Sequence, residues 1–441
     1  MTRGPLLPQM IAFTVPFVLA NLLQTLYTIA DLAIVGHFAP EGDLAAVSIS
    51  GQVTILMTLI GISVANGGQI YTAQLLGQGR KKDLNTAIGT FLSFTAILAV
   101  AVSLLCLALG RSVLRWLNTP APSVAAAGQY LTVCSLGMVF VFGYNAICAV
   151  LRGMGESKAP TVFIAVCAGM NVLGDLLLVM GLGLGALGAA IATAVSQFSA
   201  FLLALGFLYR RRAEAGFDFR RASFRIRREP LAVTVRLSLP LVIMQVALNV
   251  SMLFVSAYIN GFGVAAASIA GIGNKLYSIV TTVSSAFSAA MATIVGQNIG
   301  AGQTDRIRQA MGISVVINLA FFAVIAGICL LFPRFVFGIF TDEEGIAALA
   351  PQYLRIAVWA YLAFALMHPV LGLINGVGNT PLNLVIGVLD GVAARIGLSL
   401  LLGSRLGMWG YFWGYCLAGY VSVILGWGYY FTGRWKRRRL L

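Results

Sequence analysis

The sequence predicts an all-α polytopic membrane protein, with twelve transmembrane helices in two pseudo-symmetric six-helix lobes, and three observations lead there. The chain is 59% hydrophobic and only 10% charged, with a mean hydropathy of +0.91, far from the balance of a soluble domain. Its apolar runs are long and unbroken and lack the two-residue alternation of a barrel strand, so their backbone must be satisfied within helices. Finally, the chain repeats itself: Pro16 recurs as Pro240, Gln74-Leu75-Leu76-Gly77-Gln78-Gly79 as Gln297-Asn298-Ile299-Gly300-Ala301-Gly302, and Leu151-Arg152-Gly153-Met154-Gly155 as Ile374-Asn375-Gly376-Val377-Gly378. Three matches in one order mean two copies of one membrane unit, the usual construction around a central transport cavity.

A hydrocarbon core of about 30 Å takes about 20 helical residues, and each half supplies six such stretches. The first half gives 8–36, 44–76, 86–109, 124–150, 160–181 and 186–209; the second gives 234–260, 264–299, 308–332, 346–374, 381–402 and 407–431. Three parts follow: an N-terminal lobe over 1–209, a basic linker over 210–233, and a C-terminal lobe with a basic tail over 234–441. The linker is too short to be a soluble domain. Pro16 and Pro240 fall inside the first helix of each half, where proline removes a backbone bond and bends a membrane helix, as a static kink or as a hinge. No cleavable signal peptide is expected, because Met1 to Met10 carries two prolines and one arginine and leads straight into a full-length span.

The net charge of +15 invites a nucleic-acid reading until the bases are placed. Arg80, Lys81 and Lys82, eight arginines from Arg210 to Arg228, Arg306 and Arg308 lie between helices and Arg434 to Arg439 close the chain, all on one side if both termini are cytoplasmic, while Glu41, Asp43, Asp342, Glu343 and Glu344 then lie on the other. Basic loops mark the cytoplasmic face, so both termini are expected there, in a plasma membrane of the bacterial inner-membrane type, with anionic lipid rather than nucleic acid as the partner of the basic loops. The six cysteines, Cys106, Cys134, Cys148, Cys167, Cys329 and Cys416, lack metal-ligand spacing and read as small packing residues.

An ionisable group at mid-bilayer costs at least about 2.5–3.5 kcal/mol and so asks for a function. Asp31, Asp175 and Asp390 are the acids at that depth; Lys275, Arg355 and Arg395 are the bases, and His368 is the histidine. Asn171 and Asp175, four apart, share a face of the fifth helix. With Thr193 on the sixth helix and Asp31 on the first, they form a candidate cation-coupling group, whose four oxygen-bearing side chains suit a hard cation such as Na+ or a shared proton. Gln24 and Tyr27 share the face of Asp31, and Gln52, Met57, Tyr144, Asn145 and Ser196 can join them as a substrate-binding lining. Val255 stands opposite Asp31 in the repeat, so the second lobe is not a chemical copy. Its Lys275, Arg355, Asp390 and Arg395 read as a compensated charge network. Positions 390 and 395 lie about 140° apart on an α-helix, which directs them to other helices and makes Lys275 the expected partner of Asp390.

These residues bring the chain to a known family. Val15-Pro16, Ala30-Asp31 with Val35-Gly36, the Gln74 to Gly79 segment, Leu151 to Gly155 with Lys158 and Pro160, Asn171 with Asp175, Gly188 to Thr193, and Val295 to Gly302 together resemble the multidrug and toxic compound extrusion (MATE) family, over essentially the whole length. The resemblance implies export of organic cations and drug-like amphiphiles, driven by returning H+ or Na+, through alternating access of two lobes. It implies a cation site on Asp31, Asn171, Asp175 and Thr193 and drug contacts on Gln24, Tyr27, Asn145 and Ser196. One branch also uses a glutamate on the seventh helix; this chain has Leu248 and Asn249 there and departs from it.

The expected function is therefore a secondary active multidrug exporter, H+-coupled with Na+ as close second, acting as a monomer on small amphiphilic or cationic substrates, with no cofactor beyond the ion. A lipid-linked precursor flippase of the same superfamily is the alternative, but it would want more intramembrane bases. A membrane-embedded enzyme is disfavoured, because no metal-binding histidine pair, Ser/His pair or phosphate-binding glycine loop is present.

Overall fold

The computed structural model describes residues 1–40, 42–341 and 343–438, with the side chain of Lys81 also outside the description. Glu41, Asp342 and Arg439, named above for topology, lie outside the described residues. Among those described, twelve helices are long and apolar enough to cross a membrane. They are α1 (Leu6–Phe38), α2 (Asp43–Gly77), α3 (Lys81–Trp116), α4 (Val124–Gly153), α5 (Lys158–Gly181), α6 (Gly185–Arg210), α7 (Arg228–Asn260), α8 (Val264–Gly300), α9 (Thr304–Leu331), α10 (Ala350–Gly376), α11 (Thr380–Leu406) and α12 (Met408–Phe431). The apolar runs thus found every span, and several helices outrun them because polar end turns can lie beyond the hydrocarbon. The tenth starts at Ala350 rather than 346, since Glu344–Ala347 forms a separate short turn of helix.

Two departures from α geometry matter for the chemistry. In α5 the α-helix Lys158–Asp175 runs into a π-helical turn at Leu176–Gly181. In α11 a π-helical turn at Leu389–Ala394 separates Thr380–Val388 from Arg395–Leu406. A π-turn closes i to i+5 instead of i to i+4 and recurs at functional sites. Both fall beside a buried acid.

The chain packs as two compact units, Ala12–Val242, and Ile243–Leu441 together with Met1–Ile11. In the first, α4 is the central helix, set against α2, α3 and α6; in the second, α10 takes that place against α8, α9 and α12. The repeated glycine motif explains how the central helices come so close. A Cβ added at Gly153 would stand 2.7 Å from the Gln69 carbonyl oxygen, and one at Gly376 would stand 2.7 Å from that of Ala292. Only glycine allows helix backbones to meet in this way.

The units do not end where the sequence repeat does. Leu6 and Met10 pack among Met291, Ile294, Val295 and Ile374 in the C-terminal unit, whereas Ser238, on α7, donates to the Val64 carbonyl in the N-terminal unit. Pro16 and Pro240 lie within unbroken helices.

The basic segment is pinned along much of its length. Gly216 turns the chain at φ 62°, Phe217 is buried and packs on Phe219 and Phe224, and α3 holds the backbone beyond. Ser93 donates to the Phe224 carbonyl at 2.7 Å, Thr90 accepts from the Arg227 amide at 3.2 Å, and Asn85 accepts from the Asp218 amide at 3.2 Å. The arginines of this segment point outward while its aromatic rings point in.

Candidate ion and substrate site

A cavity of about 410 Å³ opens inside the N-terminal unit. Gln24, Tyr27, Thr28 and Asp31 of α1, Gln52, Thr54 and Thr58 of α2, Tyr130, Tyr144 and Asn145 of α4, and Thr193 and Gln197 of α6 supply its polar lining. Helical spacing brings them together, since residues 24, 27, 28 and 31 form one stripe along α1. Apolar side chains fill the rest, including Leu32, Ile55, Ile62, Met138 and Ile164. Among the described residues no lysine or arginine lines it, and Asp31 is its one carboxylate.

Of the residues named from sequence, Gln24, Tyr27, Gln52, Tyr144, Asn145, Asp31 and Thr193 line this cavity. Met57 and Ser196 do not. Met57 packs against the Ala99, Met138 and Phe142 cluster, and Ser196 is buried with its hydroxyl donating to the Thr193 carbonyl at 2.9 Å. Gln197, missed in the sequence, lies in the lining and donates to the Tyr27 hydroxyl at 3.4 Å. Its signal was the four-residue step from Thr193. Thr54 and Thr58 were missed because their hydroxyls donate to carbonyls four residues back, at 3.0 and 2.9 Å, as in any membrane helix.

Behind the lining stand Asn171 and Asp175, both fully buried on α5. The Asn171 amide donates to Thr193 Oγ1 at 3.3 Å, linking α5 to the cavity wall. Asp31 on the cavity wall and Asp175 behind it are both buried carboxylates. Asp31 Oδ1, Asn171 Oδ1 and both Asp175 oxygens have no hydrogen-bond partner among the described residues. Buried acceptors are nearly always satisfied, and a proton, a small cation or a hydrogen-bond donor such as water would satisfy these. Of the four residues of the proposed coupling group, two thus stand on the wall and two behind it.

In the C-terminal unit the charges fall out differently from the expectation. Arg395 Nη2 lies 3.8 Å from Asp390 Oδ1, both residues being buried, whereas Lys275 is exposed and its ammonium sits over the Phe340 ring at 5.5 Å. The π-turn is the reason, because it brings residues five apart onto one face where an α-helix would separate them. Ser422 donates to Asp390 Oδ2 at 2.5 Å, and the Arg395 guanidinium rests 4.8 Å over the Tyr415 ring. Arg355 is exposed and outside this group. His368 stands edge-on to Phe364 at 6.1 Å and apart from the pair. Leu248, on α7, packs onto Gly391 inside the π-turn, so apolar packing fills the seventh-helix neighbourhood.

Comparison with known proteins agrees with this architecture. The MatE family model matches residues 16–177 and 240–399, one match in each half. Among curated proteins, the probable multidrug resistance proteins YoeA and YpnP of Bacillus subtilis are each 27% identical, over 97% and 100% of this chain and 94% and 98% of their own lengths. The multidrug export protein MepA of Staphylococcus aureus is 20% identical over 94% of this chain and 91% of its own. Crystal structures of a MATE protein in straight and bent conformations superpose with TM-scores of 0.91 and 0.90 at 21% identity, covering 99% of this chain and 98% and 97% of theirs, a likeness of fold. With its family match falling on both halves of a doubled six-helix bundle, this chain is an integral membrane protein of the MatE family, a family of transporters and not of enzymes.

Proposed function

We propose that the protein is a secondary active multidrug exporter that exchanges organic cations or drug-like amphiphiles for inward-moving H+, with Na+ the close second, by alternating access. The single observation that carries this reading is the set of unpartnered buried oxygens on Asp31, Asn171 and Asp175, linked through Thr193 to the cavity wall. An ion held there alters the charge of the one carboxylate that faces a substrate, so ion and cationic substrate exclude each other electrostatically. Mixed amides, hydroxyls, tyrosines and apolar side chains tolerate ligands of varied shape, and the relatives named for multidrug resistance and export support that breadth. The absence of lysine and arginine from the cavity lining disfavours a phosphate-bearing lipid precursor as cargo.

In this reading both termini are cytoplasmic in the plasma membrane, Pro16 and Pro240 mark the bends of α1 and α7, the monomer suffices, and the coupling ion replaces any cofactor. The test is ethidium efflux from cells with and without Na+, comparing wild type with Asp31→Asn and Asp175→Asn. Na+-independent efflux that collapses with an uncoupler identifies the proton, and undiminished efflux in both variants refutes the coupling site.

A further inference from the structure

Arg111 and Arg115 of α3 break the pattern of the rest of the N-terminal unit. Its other bases gather at the end that carries the 210–233 segment, whereas these two stand at the opposite end of α3, four residues apart and hence on one face. Both are exposed, and neither takes part in an ion pair among the described residues. They open onto a groove between α3 and α4 of about 900 Å³.

Arg111, Arg115, Gln129, Thr132 and Ser135 are its polar lining, while Leu107, Leu131 and Leu187 belong to its apolar lining, Leu107 lying about one turn deeper in α3 than Arg111. Gly128 keeps it open, because a Cβ there would meet nothing within 4 Å. Trp116, 79% exposed at the end of α3, is the residue type that settles at the headgroup level. An arginine more than a turn inside a membrane helix must carry its charge to an anion or to water. Here two guanidinium groups share one groove and no acid among the described residues lines it, so the cationic part of a zwitterionic headgroup would find no counter-charge there.

We propose that this groove is a binding site for an anionic glycerophospholipid, its phosphate on Arg111 and Arg115 and an acyl chain along the Leu107 and Leu131 trough. The occupant belongs to the leaflet opposite the basic linker and is not cargo, since the groove is separate from the Asp31 cavity.

The test is native mass spectrometry of the full-length protein in detergent, titrated with dioleoylphosphatidylglycerol, with dioleoylphosphatidylcholine, or with sn-glycerol 3-phosphate as the soluble anion. At about a fivefold factor per well-placed charge, wild type should retain the phosphatidylglycerol roughly 30-fold over the phosphatidylcholine. Arg111→Gln/Arg115→Gln should bring that ratio near one, and Gly128→Leu, which fills the groove and leaves both arginines, should also lose the lipid. Arg405→Gln, on the C-terminal unit, should leave the ratio unchanged. The proposal is overturned by equal retention of the two lipids in wild type, by an undiminished ratio in the double variant, or by an Arg405→Gln loss as large as that of the double variant. Displacement of the lipid by millimolar glycerol phosphate would also overturn it, since it would make the site one for a free anion.

Discussion

On the proposed mechanism, replacing Asp175 by Asn should separate ion coupling from substrate binding, because Asp175 is fully buried and lies outside the cavity lining while Asp31 remains in it. The amide is nearly isosteric and cannot exchange a proton. If both acids exchange one proton each for a monovalent cationic substrate, one net charge moves inward per cycle. Each proton brings about 1.4 kcal/mol per pH unit, and the net charge adds about 2.3 kcal/mol per 100 mV. At one pH unit and 100 mV the wild type then has about 5 kcal/mol, enough for an ethidium gradient of about 5,000-fold. With Asp31 alone the exchange becomes electroneutral, and the limit falls to about tenfold. The assay is ethidium transport in proteoliposomes with the pH gradient and a valinomycin-clamped K+ potential set independently. Asp175→Asn should still respond to pH and should ignore voltage. A variant that keeps the voltage response, or a wild type that never had one, refutes the two-carboxylate cycle.

Other outcomes follow from the same geometry. Arg395→Gln leaves Asp390 buried with only Ser422 beside it and should cost about 3–5 kcal/mol of stability, read as a lowered thermal midpoint in detergent, with Asp390→Asn/Arg395→Gln recovering most of it. Gly376→Ala puts a methyl 2.6 Å from Val295 Cβ and 2.7 Å from the Ala292 carbonyl oxygen, so a loss of about 1–3 kcal/mol is expected in the same measurement, whereas Gly128→Ala should be neutral. The Ser223 hydroxyl and then the Arg220 amide, both donating to Asp218, hold its carboxyl below the ordinary range. A depressed folded value means that the stabilisation is full above the ordinary carboxylate pKa near 4 and disappears only as pH falls through the lower, folded value. Trypsin cleavage of the linker arginines, normalised at each pH to cleavage of an unstructured arginine peptide, should therefore be unchanged from pH 8 to pH 6 in wild type, and faster throughout in Asp218→Asn.

The spans, and the meeting of Asn171 and Asp175 with Thr193, were readable because they rest on α-helical regularities. Long apolar runs give helices, and a four-residue step puts Asn171 and Asp175 on one face. What the residues could not reveal depended on departures from that regularity or on exact packing depth. The pairing of Asp390 with Arg395 needs a π-turn, which leaves no mark in a period of 3.6. Met57 and Ser196 share helical faces with cavity residues yet are consumed by packing and by a backbone carbonyl. The membership of 1–11 in the C-terminal unit is invisible to a repeat that runs strictly in chain order.

That exchanged membership has a consequence for severed chains. Opening the backbone between 217 and 227 would release two pieces, neither of which is a packing unit: the first would carry the Leu6 and Met10 segment that fills a socket in the second, and the second would carry the Arg228–Val242 stretch that belongs with the first. Each piece made alone would leave an apolar socket unfilled. Made together in one cell, each piece would hold the plug the other lacks, so a two-piece transporter should assemble and survive purification as a pair.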